Sequence, residues 1–76
     1  MPDKEAKEIC LKLGQTIREI RVKQCISQEE LAERAGMHRT FMSHVECATR
    51  NITVYNLVKL ARALKIKPYI LLKDLN

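Results

Sequence analysis

Residues 27–47, SQEELAERAGMHRTFMSHVEC, leave the chain little conformational freedom. Ser27 and Glu30 have the Ser-x-x-Glu spacing of a capping box, in which the serine oxygen accepts from a first-turn amide and the glutamate reaches back to the cap. A helix therefore starts here, with Leu31, Ala32 and Ala35 as its apolar side. Gly36 ends it, because a residue without Cβ takes positive φ at no steric cost. A second amphipathic segment follows at once. Phe41, Met42 and Val45 form its apolar side, and Arg39, Thr40, Ser43 and His44 lie opposite. The stretch predicts two short helices around one tight turn.

The remaining sequence predicts three more helices. From about residue 4 to residue 23 the apolar Ala6, Ile9, Leu13, Ile17 and Ile20 recur every three or four positions. Gly14 interrupts this helix at a cost of about 1 kcal/mol relative to alanine, which marks a boundary or a close packing contact. Arg18, Arg21 and Lys23 fall near its carboxyl end, where cations complement the helix dipole and could meet a phosphate. Residues 46–53, ECATRNIT, read as an exposed polar loop. Thr53 caps a fourth helix carrying Val54, Leu57, Val58, Leu60, Ala61 and Leu64. Lys65, Ile66 and Lys67 break the pattern, and Pro68 opens a short fifth helix with Tyr69, Ile70, Leu71, Leu72 and Leu75. The expected fold class is all-α, with five helices in a single domain over residues 1–76.

Charge distribution says more than total charge. The net charge is +5, which favours a polyanionic partner. Residues 1–25 carry six basic and four acidic groups, residues 26–50 three and four, and residues 51–76 five and one. The central helix pair is therefore almost neutral, and any non-specific phosphate attraction has to come from its flanks. Cys10, Cys25 and Cys47 are odd in number and have no C-x-x-C spacing, so neither a disulfide framework nor a zinc ribbon is expected. Cys25, His38, His44 and Cys47 lack metal-ligand spacing, and no metal or cofactor is expected. The polar start MPDKEAKE predicts neither a leader nor a membrane span, hence a cytoplasmic protein. With Asp3 and Asp74 as the only aspartates and no nucleophile and base at a meaningful spacing, no enzyme is expected.

Residues 17–72 resemble the Cro and phage-repressor type of helix-turn-helix domain, the Xre family. The resemblance rests on SQEELA at residues 27–32, on Ala35, Gly36 and Met37 at the turn, on Met42 and Val45 inside the next helix, and on the run from Arg50 to Leu64. It implies a compact lambda-repressor-like DNA-binding domain with its helix-turn-helix at residues 27–47. His38 to Ser43, Val45, Glu46, Arg50 and Asn51 are similar to the controller proteins of bacterial restriction-modification systems, which usually have tyrosine where Phe41 stands. Phe41 is then half-buried or stacked on a thymine methyl. Cys25, Ala48 and Lys65 stand where such domains often have glycine, so positive φ or reshaped helix ends are expected there.

A helix lying in the major groove presents only the outer residues near its amino end, here Arg39, Thr40, Ser43 and His44. Arg39 is the first candidate for base recognition, since its guanidinium matches O6 and N7 of guanine, with a surface ion pair as the plain alternative. Candidate phosphate contacts are Gln28, His38, Arg50, Asn51 and Thr53. His38 could instead cap its helix, and Gln28 could also brace the reading helix. The last helix is apolar on too many sides for one core, which makes Tyr69, Ile70, Leu71, Leu72 and Leu75 a candidate dimer interface or a buried terminal helix with a small exposed patch. The expected partners are double-stranded DNA, a second copy of the chain and RNA polymerase, with no membrane. The expected function is sequence-specific transcription regulation as a homodimer on a roughly palindromic operator. A restriction-modification controller that activates at one site and represses at an adjacent one comes first, ahead of a phage-type repressor or an antitoxin. A protein-interaction module on the same fold is the alternative of another class.

Overall fold

The computed structural model describes residues 4–48, 51–73 and 75. Its helices are α1 (Lys4–Lys23), α2 (Gln28–Ala35), α3 (Arg39–Glu46), α4 (Val54–Ala63) and α5 (Tyr69–Leu72), with no strand among the described residues. The all-α expectation of five helices holds. The helices turn most of their periodic apolar residues inward: Leu13 and Ile17 from α1, Leu31, Ala32 and Ala35 from α2, Met42 and Val45 from α3, Leu57, Leu60 and Ala61 from α4, Leu71 from α5, whereas Ile9 and Val54 of the same patterns are exposed. Ile17, Leu31, Met42, Leu60, Leu64 and Leu71 are the largest fully buried side chains, and burial of each contributes about 1.5–3 kcal/mol. α2 packs on α3 and α4, while α1 lies behind α3 and against α5.

Ser27 begins α2 in extended conformation (φ −80°, ψ 166°), and its Oγ accepts from the Glu30 amide at 3.0 Å. The carboxylate of Glu30 pairs with Arg34 one turn on, at 2.6 Å, so the serine half of the capping box carries the start. Gly36 (φ 69°) closes α2, and the Met37 amide donates to the Ala32 carbonyl at 2.8 Å in a Schellman arrangement. Three residues repeat this left-handed geometry without being glycine: Cys25 (φ 59°) after α1, Ala48 (φ 60°) after α3 and Lys65 (φ 60°) after α4. The expectation of positive φ at these positions is met without reshaping the helix ends. The Ile26 amide donates to Arg21 O at 3.2 Å and the Ile66 amide to Ala61 O at 3.0 Å, the same closure as at Gly36.

The expected exposed loop over residues 46–53 needs correction. Glu46 is the last residue of α3, and Ala48 is buried in the core. Thr53 caps α4 as expected, accepting from the Asn56 amide at 3.1 Å. Pro68 already has helical angles (φ −55°, ψ −32°), and the single turn of α5 follows it.

Candidate nucleic-acid interface

α3 is divided by its own periodicity. Met42 and Val45 point into the core, Arg39 and Thr40 are exposed, and Ser43 and His44 are half-buried at the surface. Gln28, at the first turn of α2, reaches the same side. Gln28, Arg39, Thr40, Ser43 and His44 together line one shallow hollow of about 250 Å³. The side chains that the sequence nominates for reading bases, and the glutamine nominated to anchor them, thus converge on one surface.

Arg39 is held loosely on that surface. Its Nη1 lies 3.4 Å from Glu29 Oε1, with the arginine side chain 67% exposed, so the pair contributes at most a few tenths of a kcal/mol and the guanidinium is available to a ligand. His38 occupies the N-cap position of α3 (φ −74°, ψ 145°) but makes no side-chain cap hydrogen bond, so of its two alternatives side-chain capping is not the one realised. Its imidazole is exposed at the helix start. Phe41 is half-buried against the core.

Behind the hollow lies a contact that the sequence does not announce. The Glu46 carboxylate, only 3% exposed, receives Arg21 Nε at 2.7 Å and Arg21 Nη2 at 3.1 Å. Gln28 Nε2 donates to the same carboxylate at 3.0 Å, and Arg21 Nη1 donates to the Ile26 carbonyl at 2.9 Å. One carboxylate therefore joins the end of α1, the start of α2 and the end of α3, with a fork geometry that suits arginine. Arg21 is committed to this network, so of the cations near the end of α1 it is neither free for a phosphate nor part of a solvated basic face. Gln28, through the Glu46 carboxylate, braces α3. The signal for Glu46 was its position four residues after Met42, on the apolar stripe of α3 rather than beyond it.

The other candidate phosphate contacts, Arg50, Asn51 and Thr53, lie in and beside the segment before α4. Arg50 lies outside the described residues. Asn51 Oδ1 accepts from the Cys10 thiol at 3.1 Å, leaving the amide nitrogen as its donor toward solvent. Asn51 and Thr53 do not border the hollow lined by Gln28 and Arg39. They line a separate, mostly apolar groove with Ile9, Leu13, Val54, Leu57, Leu72 and Leu75. Of the five candidate interface residues, Leu71 is 1% exposed and belongs to the core, which removes it from any interface. Tyr69 (62%) and Leu72 (46%) are open to solvent, and Ile70 and Leu75 are half-buried. Among the described residues no helix is long and apolar enough to cross a membrane.

Residues 17–71 match the family model described as helix-turn-helix. The chain belongs to this family. Within it, the chain is 43% identical over 61 residues to the control protein C.BamHI of Bacillus amyloliquefaciens, an alignment covering 79% of this chain and 75% of that one. The restriction-modification controller protein C.AhdI from Aeromonas hydrophila has the same fold, with a TM-score of 0.81 and 42% identity over 82% of this chain and 94% of that one. The controller protein C.Esp1396I, solved as a tetramer in complex with its natural 35 base-pair operator, superimposes with a TM-score of 0.80 and 27% identity over 88% of each chain.

Proposed function

We propose that this helix-turn-helix protein is a homodimeric control protein that reads a roughly palindromic operator in the promoter region of a restriction-modification system. It is a DNA-binding transcription regulator by family. The convergence of Gln28, Arg39, Thr40, Ser43 and His44 on one surface, with Met42 and Val45 turned inward, carries the reading. Arg39 and Thr40 address base edges at the amino end of α3, Ser43 and His44 follow one turn on, and Gln28 and His38 meet the backbone beside them. Arg50, Asn51 and Thr53 supply phosphate contacts from the loop before α4.

Two copies are required on geometric grounds. The chain spans 31 × 24 × 21 Å and has one reading helix, whereas successive half-sites on one face of B-DNA are about 34 Å apart. The exposed Tyr69 and Leu72, with Ile70 and Leu75 beside them, are the surface assigned to the second copy. Binding near a promoter would then block or recruit RNA polymerase in the cytoplasm. We assign the chain no enzymatic activity. Selection of bound duplexes from a random pool tests the proposal. A symmetric site bound by two copies is the expected product; absence of any salt-dependent DNA binding would instead leave a protein-interaction module.

A further inference from the structure

Gly14 sits in the interior of the 20-residue α1, where glycine is the less favourable choice relative to alanine. Its surroundings explain the choice. A Cβ at this position would lie 2.5 Å from the Val45 carbonyl oxygen, 3.0 Å from the Glu46 carbonyl oxygen and 3.2 Å from the Glu46 carbonyl carbon. All three atoms are backbone of the last two residues of α3, the helix whose outer side carries Arg39, Thr40, Ser43 and His44. They cannot step aside by changing a rotamer. The Val45 oxygen is further held by the Ala48 amide at 3.2 Å. Two turns along the same stripe of α1, Arg21 grips the Glu46 side chain.

We propose that Gly14 is a positioning residue for DNA reading: by letting the backbone of α1 touch the final carbonyls of α3, it sets the depth and tilt at which the reading helix is presented. The inference rests on the DNA-reading assignment above. The Arg21 fork fixes where the end of α3 lies along α1, and Gly14 fixes how closely it approaches. With alanine at position 14 the Val45 oxygen has to retreat from 2.5 Å to at least 3.0 Å. The Met42 and Val45 side chains are buried in the core and resist a translation of the whole helix, so the displacement should be taken up mainly as a tilt of the eight-residue α3, about 12 Å long. Arg39 and Thr40 lie at its far end. Hydrogen bonds to base edges weaken steeply with angle, whereas attraction to phosphates tolerates such a shift. Reading of sequence should therefore suffer before affinity for DNA as such.

The experiment compares Gly14→Ala with the unmodified chain on two duplexes, the site selected from a random pool and a scrambled duplex of the same composition. Ala63→Gly, which weakens α4 away from α3, serves as the stability control. Circular dichroism first establishes that each protein is folded. Gly14→Ala should lower the ratio of selected-site to scrambled-site affinity at least tenfold while scrambled-site affinity stays within about twofold. Ala63→Gly should keep the full ratio. A folded Gly14→Ala protein with an unchanged ratio overturns the proposal. Should the single variant not fold, it is repeated with Cys25→Gly and Lys65→Gly, which relieve left-handed strain at exposed helix ends. Failure to fold in that background also overturns the proposal, since Gly14 would then serve the whole fold. If the unmodified chain itself prefers no duplex, the DNA-reading assignment fails, whatever Gly14 does.

Discussion

The Gln28 amide nitrogen lies 3.0 Å from Glu46 Oε1, so the side chain that borders the reading hollow is fastened from behind by the carboxylate that Arg21 neutralises. Removing either charge of that buried pair would strand the other, which costs more than the pair itself contributes. Arg21→Met should destabilise the domain by about 3–5 kcal/mol in urea unfolding. The double variant Arg21→Met with Glu46→Leu should recover most of that loss, because an apolar pair of similar volume leaves no buried charge uncompensated. A double variant as unstable as the single one would mean that α1 and α3 depend on the charges themselves.

Arg39→Ala should leave stability unchanged within about 0.5 kcal/mol, since its contact with Glu29 is long and solvated. On DNA it should cost about 1–3 kcal/mol at the selected site and far less on scrambled duplex. Titration of both duplexes at one salt concentration checks this. Equal losses on the two would reassign Arg39 to the phosphates.

Cys25 and Lys65 are exposed residues held in left-handed conformation. Replacing either by glycine should raise stability by about 0.5–1 kcal/mol, the relief of strain being partly offset by the looser unfolded chain. Ala48→Gly should gain less or nothing, because its methyl is buried in the core and would be lost. Thermal melts of the three variants rank the effects.

Leu71 and Leu72 are neighbours with opposite surroundings, 1% and 46% exposed. Leu71→Ala should cost about 2–5 kcal/mol of folding stability. Leu72→Glu should leave the fold intact and shift the chain to monomer, with weaker binding to a two-half-site duplex. Sedimentation velocity at micromolar concentration separates the two. Retention of a dimer by Leu72→Glu would move the interface away from α5.

What the sequence disclosed was local in origin. Apolar spacing placed Ile17, Leu31, Met42 and Leu60 inward, the Ser27 and Thr53 hydroxyls marked helix starts, and Gly36 marked the turn. Arg39, Thr40, Ser43 and His44 were legible as one face because helical periodicity alone sets which residues oppose Met42 and Val45. Contacts across long chain separations were not legible. Arg21 and Glu46 are 25 residues apart, and a lone arginine on an amphipathic helix looks the same whether it pairs or faces water. The position of His38 before α3 allows either a side-chain cap or a phosphate contact, and only the structure shows that its side chain makes no cap hydrogen bond. Leu71 was assigned to an interface because an apolar run does not say which members a one-turn helix buries.

The seat of α1 has a consequence for how the chain is made. α1 is synthesised first, but the carbonyls that rest on Gly14 belong to Val45 and Glu46, and the acceptor of the Gln24 side-chain Nε2, at 2.7 Å, is the carbonyl of Leu64. Until residue 64 has been added, the longest helix of the protein has no complete surface on which to bury Leu13 and Ile17. The contacts between α2 and α3 join near neighbours in the chain and can be made earlier than those of α2 with α4. The contacts that set the tilt of α3, at Gly14 and Arg21, are complete once Glu46 has been added, well before the cover of α1 is. Translation stalled between residues 48 and 64 would release a fragment with an uncovered apolar helix, prone to association with other chains.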